Sequence, residues 1–146
     1  MTAFAEFHVK VGVPVILGND GFGEARIVPI LGGTVTGASL SGTILAGGAD
    51  EQRIRPDGLT RIHARYVIQS TDGALIRVDS QGLRHGPPEV MAALQRGETV
   101  DPGQIYFRTV IRFETAALEH DPLNLALFQA SGRRLADTVL LSVSRL

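Results

Sequence analysis

The chain has no cysteine and no tryptophan, and its 14 basic residues include a single lysine, Lys10. Without cysteine there is no disulfide, no thiolate nucleophile and no cysteine-ligated metal, a usage compatible with the cytosol. With one lysine, Schiff-base chemistry has a single residue to rest on. The arginines that make up the rest of the basic inventory instead suit clamps on a carboxylate or enolate. Aromatics are 5% of the residues and net charge is −1. No basic stripe interleaves with aromatic residues, which argues against a nucleic-acid partner. No run approaches the roughly 18 apolar residues of a membrane helix. Glu6 and His8 interrupt the N-terminal stretch, so it lacks a leader pattern, and a cytoplasmic protein is expected. The four histidines, His8, His63, His85 and His120, show no ligand spacing, so no metal is expected. The paired glycines lie in extended segments rather than between a strand and a helix, which rejects a dinucleotide fingerprint, and no cofactor is expected. Gly37–Gly42 likewise misses the nucleophile elbow and lacks its following helix.

What the chain has in excess is glycine, 17 of 146 residues, and it falls between short β-rich runs. Asp57-Gly58 separates Gln52–Arg55 from Thr60–Ile68, and Asp72-Gly73 separates that run from Ala74–Val78. A two-residue Asp-Gly loop fits a type I′ hairpin turn. Ala3–Ile16 reads as one long first strand, with Pro14 marking an edge or bend, and Arg26–Leu31 as the second. Thr34–Ala46 is extended, and Asp50–Arg84 holds three strands. The period then changes. Pro88 suits a first helical position, Glu89 a first turn and Gly97 a stop, with Val90, Met91 and Leu94 on one face of a helix over 88–96. Ile105–Ala116, Leu125–Ser131 and Thr138–Leu146 are the last strands, the final pair joined around Gly132-Arg133-Arg134. Eight or nine strands and one helix make a single all-β domain over residues 1–146. Closure removes exposed edges, so the expectation is a closed antiparallel up-and-down barrel, calycin-like or lipocalin-like. Such a barrel is filled by side chains or holds one small ligand.

Several residues have the chemistry for a site. The strand from Ile105 to Glu114 puts Ile105, Phe107, Thr109, Ile111 and Phe113 on one face, and Tyr106, Arg108, Val110, Arg112 and Glu114 on the other. The second face is either a solvated exterior or the wall of a polar cavity. In the cavity, Arg108 needs a carboxylate partner from another strand, for which Asp50 is the choice. Tyr66 alternates with His63 and Arg65 and should point inward, as core or as ligand contact. His85 sits at the junction of a strand and the helix, where it is either an exposed loop histidine or a proton-transfer group. Arg84 beside it reaches either a ligand anion or a surface carboxylate. Asp50, after Gly47-Gly48-Ala49, is turn chemistry or a base at a barrel rim.

The same residues resemble the DUF3237, or UPF0311, family of small uncharacterised bacterial and fungal proteins. The matching pieces run in order from Arg26-Ile27-Val28-Pro29-Ile30 through Gly47-Gly48-Ala49-Asp50, Arg55-Pro56-Asp57-Gly58, Ala64-Arg65-Tyr66 and Thr71-Asp72-Gly73-Ala74. They continue through Gly82–Val90 to Tyr106-Phe107-Arg108-Thr109 and Arg112-Phe113-Glu114-Thr115. Two positions depart from the pattern: Glu51 and Pro122 stand where members usually carry an aromatic. The resemblance implies an antiparallel barrel, and it puts Asp50, Arg65, Tyr66, Arg84, Tyr106, Arg108, Arg112 and Glu114 at motif positions.

Together these readings point to a barrel that binds a small, partly aromatic or polyketide-like molecule and performs a cofactor-free proton transfer such as isomerisation, cyclisation or elimination. Asp50, Glu114 or His85 would be the base. Tyr106 and Arg108 would stabilise oxygen charge, with Tyr66 and Arg84 as further ligand contacts. The rivals are a small-molecule binder without turnover and an oligomer-forming structural module. A deep cavity with converging polar groups favours the first two, and a filled barrel with an apolar outer patch favours the third.

Overall fold

Alternation of apolar and polar side chains drives most of the chain into strands that share one apolar face. The computed structural model describes residues 3–146. Its strands are β1 (Ala5–Val11), β2 (Val15–Asn19), β3 (Glu24–Thr36), β4 (Gly42–Ile44), β5 (Gly48–Ile54), β6 (Thr60–Ser70) and β7 (Leu75–His85). Helix α1 (Pro88–Gln95) follows, then β8 (Tyr106–Thr115), β9 (Leu127–Arg134) and β10 (Thr138–Arg145). All pairings are antiparallel, and β1 closes the ring by pairing with both β10 and β3. β4 and β5 both lie between β3 and β6, sharing one place in the ring. The result is a closed up-and-down barrel of eight positions, with β2 outside it, paired to β3 alone.

The expected long first strand is broken at Gly12-Val13-Pro14, and both halves pair with β3. Proline has no N–H to give a ladder, so the break falls there. Gly32-Gly33, a glycine pair that signals a sharp bend or a bulge, lies within β3, whose pairing with β1 shifts register there as a bulge does. The last hairpin turns at Leu135–Asp137 rather than at Gly132–Arg134, which are still strand.

Both Asp-Gly hairpins form, but not with type I′ turns. Only the glycines have positive φ, +91° at Gly58 and +89° at Gly73. The Gly58 N–H donates to the Arg55 carbonyl at 2.8 Å, and the Gly73 N–H to the Ser70 carbonyl at 2.9 Å. This is a type I turn closed by a left-handed glycine, the next commonest hairpin solution. Pro56 favours it by fixing φ at the second turn position. The Asp57 carboxylate accepts from the Leu59 N–H at 3.2 Å, which holds the turn in that form.

The two ends of the barrel differ. Inward residues of one half are apolar: Ile68, Ile76, Val78, Phe113 and Phe128 are buried, and Leu123 of the 3₁₀ segment Leu118–Leu125 joins them. The other half is polar and lies under α1, which buries Met91 and Leu94. A Cβ at Gly58 would lie 2.7 Å from that of Met91, so the β5–β6 turn packs directly beneath the helix.

Candidate functional site

Cross-strand register decides which polar side chains meet inside. Asp50 lies opposite Val28 and Ala64, and Gln52 opposite Arg26 and Ile62, so Asp50, Gln52 and Arg26 share the inner face. On β7 the inward series Ile76, Val78, Ser80 ends in Arg84, which lies opposite Thr60 and Phe107. Arg134 at the end of β9 keeps the parity of buried Phe128 and Ala130. Tyr66 points inward from β6 as its alternation required. Gly48 makes room for it, because a Cβ there would sit 2.6 Å from the tyrosine Cβ.

Asp50 is the centre of this cluster. The Gln52 amide donates to it at 2.8 Å and the His63 backbone N–H at 3.2 Å. Burial raises its carboxyl above the usual range, and the Gln52 hydrogen bond and the Arg84 charge offset this only in part. Arg84 is 6% exposed, with its guanidinium 5.5 Å from the Phe107 ring centre. Burial, then the like charge of Arg134, pushes its pKa down to about 10 against the pull of Asp50. Burial, with the Asp50 charge, raises the Tyr66 hydroxyl and keeps it protonated. Among the described residues three buried polar atoms have no hydrogen-bond partner: the Tyr66 hydroxyl, Arg84 Nε and Thr109 Oγ1. A buried donor left unmade costs about 1–3 kcal/mol, so three inside one barrel need a reason. Beside Arg84 is a cavity of about 10 Å³, walled by Leu94, Phe107 and Arg134 among others. That is room for about one water.

The structure thus brings Asp50, Tyr66 and Arg84 together and leaves the other four sequence candidates outside. Tyr106, Arg108 and Glu114 are exposed on the outer face of β8, because Phe107, Thr109, Ile111 and Phe113 take the inner one. The partner of Arg108 is Ser131, not Asp50: Nη1 donates to its Oγ at 2.8 Å, and the guanidinium lies 5.7 Å from the Tyr106 ring centre. His85 is exposed and stacks on Tyr106 with ring centres 5.3 Å apart. Glu114 lies opposite Arg77 on the same outer surface. Gln52, Thr109, Arg134 and Arg26 were missed. For Arg26 the signal was present, since it alternates with Val28 and Ile30.

The largest concavity, about 890 Å³, is on the outer surface and is lined by Leu17, Arg61, His63, Asp79, Arg112 and Leu127 among others. His63 Nε2 lies 3.0 Å from Asp79 Oδ1, and Arg65 Nε donates to Oδ2 at 3.3 Å. Burial pushes the Asp79 carboxyl up, but His63, Gln81 and Arg65 outweigh it and leave it below its usual range. Those groups satisfy one another at the surface, whereas the interior leaves polar atoms without partners. Among the described residues no three carboxylates or imidazoles gather as a metal requires, and no helix is long and apolar enough to cross a membrane.

Comparison with known proteins finds the barrel elsewhere. The family model described as protein of unknown function (DUF3237) matches residues 1–146. A UPF0311 protein of Bradyrhizobium diazoefficiens is 46% identical over 134 residues, 92% of this chain and 88% of its own length. The crystal structure of a conserved protein of unknown function from Rhodopseudomonas palustris superposes with a TM-score of 0.92 at 40% identity, covering 99% of this chain and 94% of that one. A beta-barrel like protein from Acinetobacter baumannii gives 0.87 at 37% identity, with coverage of 99% and 93%. A chain described as an enzyme from Penicillium herquei gives 0.70 at 18% identity, with coverage of 97% and 92%, a likeness of fold.

Proposed function

Since the chain belongs to the DUF3237 family of proteins of unknown function, its chemistry has to be read from its own interior, and we propose that the polar half of the barrel binds a small molecule through an enolate, phenolate or carboxylate oxygen and moves a proton on it without a cofactor. The observation that carries this reading is the set of unpartnered buried polar atoms, Tyr66 hydroxyl, Arg84 Nε and Thr109 Oγ1, together with a desolvated Asp50 whose charge acts on Tyr66 and Arg84. A buried guanidinium with depressed pKa and like-charged neighbours gains most from an anion. Arg84, backed by Arg134, takes the substrate oxygen. The protonated Tyr66 hydroxyl donates a second hydrogen bond. Ionised Asp50 accepts a proton from carbon next to the carbonyl, and the electron pair moves onto the oxygen that Arg84 faces. Returning the proton elsewhere gives isomerisation; expelling a leaving group gives elimination. A partly aromatic, polyketide-like substrate suits the mixture of Phe107, Tyr66 and arginine. The interior beside Arg84 is filled, with room for about one water, which is what the oligomer-forming module was expected to show, so this reading requires α1 to move for such a molecule to enter from that end.

The test is a panel of phenolic and 1,3-dicarbonyl compounds screened by ligand-observed NMR against wild type, Arg84→Met, Tyr66→Phe and Asp50→Asn. Binding lost in Arg84→Met, with Asp50→Asn still binding but not converting the compound, is the expected pattern. Hits that bind Arg84→Met unchanged, or that perturb His63 and Arg112 instead, would overturn it. Hits that are held by Arg84 and stay chemically unchanged would assign the non-catalytic binder.

A further inference from the structure

The lining of the small cavity beside Arg84 is chemically one-sided. Every ionisable side chain in its wall is an arginine, Arg84, Arg133 or Arg134, and the rest of the wall is apolar side chains and Gly132. Arg84 is buried and its Nε has no hydrogen-bond partner. Neither Arg84 nor Arg134 forms an ion pair among the described residues. Asp50 acts on both only through space, because its hydrogen bonds go to Gln52 and the His63 backbone N–H. Arg84 and Arg134 meanwhile repel one another. A buried cation without a hydrogen-bonded counter-charge is costly, so the cavity calls for an occupant.

Water fits the space, about 10 Å³, but not the chemistry. It accepts from guanidinium N–H groups, yet its own hydrogens then need acceptors, and arginine offers none. A monatomic anion only accepts, supplies the missing charge and is close to water in size. Sulfate, phosphate and carboxylates exceed the cavity. We propose that a chloride ion occupies this cavity, held by the guanidinium groups of Arg84 on β7 and Arg134 on β9 and walled on the α1 side by Leu94. The ion ties two strands of the ring together beneath the helix. It would compete with a substrate oxygen for Arg84, but the site rests on the cation-only lining and needs no proton transfer.

Chloride-35 NMR line broadening tests it, on protein exchanged into sodium gluconate and titrated with sodium chloride at constant ionic strength. Wild type should broaden the line saturably, and bromide should reverse the effect by displacement. Arg84→Met should lose it and Arg134→Met should weaken it, while Arg77→Met, at an exposed position on the outer face of β7, should match wild type. Tm of the wild type should rise with chloride and not with sulfate, because only an ion that binds the folded state stabilises it. Should Arg84→Met fail to fold, anomalous diffraction from wild-type crystals soaked in bromide decides, with a peak expected between Arg84 and Arg134. Broadening equal in wild type and Arg84→Met, sulfate stabilising as well as chloride, or no bromide peak at that place overturns the proposal. Phenolic compounds that bind through Arg84 with no halide bound would overturn the ion site alone; a bound halide with no compound bound would leave it standing and remove the proton-transfer reading.

Discussion

Asp50 is subject to two opposed demands. As a proton acceptor it must be ionised, while its burial favours the neutral form. A carboxyl whose folded pKa lies above its unfolded value binds a proton more readily in the native state. Its contribution to stability is therefore present at low pH and is lost as pH rises from the ordinary carboxylate range through the raised value. Protonating Asp50 should therefore stabilise the fold, so wild type should gain stability on acidification through and just above the carboxylate range, a gain that Asp50→Asn should lack. Thermal unfolding of both proteins across that range checks it; the same pH dependence in the two would contradict the sign. Tyr66→Phe removes a buried hydroxyl that no protein group satisfies. It should leave stability unchanged or raise it by about 1 kcal/mol, measured by chemical denaturation, while weakening any ligand held there. Asp50, Tyr66 and Arg84 were readable in the sequence, Tyr66 from its parity and all three from the family motifs. Thr109 was readable as inward but not as polar chemistry, because it sits in an apolar series. Arg134 was lost because Gly132-Arg133 resembles a turn.

At the level of elements, the Asp-Gly pairs located both hairpins, and the Pro88/Gly97 punctuation located the helix, which ends at Gln95 with Gly97 at φ +82°. The turn type was not legible, because Asp-Gly serves two turn families and Pro56 settles which only in the context of the closed loop. The two turn glycines should respond differently to substitution. Valine at either is strained by the left-handed backbone, at a cost of roughly 1–3 kcal/mol. At Gly73 the space beyond is open, whereas at Gly58 the new Cβ runs into Met91. Gly58→Val should therefore lose clearly more stability than Gly73→Val, and should also loosen α1, seen as faster amide exchange over 88–95. Equal losses at the two sites would mean that the helix does not rest on the turn.

For the molecule as a whole, strand count and the need to cover exposed edges made a closed barrel the economical reading, and the ring confirms it. What single-strand patterns could not convey is that the interior divides into an apolar end and a polar end, because that depends on which strands lie beside one another. Asp50 and Arg84 lie on β5 and β7, with β6 between them, in register rows four residues apart. The seam of the ring carries its own consequence. β1 meets β10, with Phe7 opposite Leu141, so the barrel's first strand cannot be covered on that edge until its tenth has been made. Such distant pairing is slow to form, and the exposed edge is prone to aggregate meanwhile. Joining the end of β10 to the start of β1 with a short linker, and opening the chain at the exposed Asp20–Gly21 tip, would convert this seam into a local hairpin. That permutant should refold faster than wild type in stopped-flow experiments at similar stability. Equal rates would place the rate-limiting event elsewhere in the ring. In a cell, the same seam leaves this edge of β1 uncovered while the strands between β1 and β10 are being made.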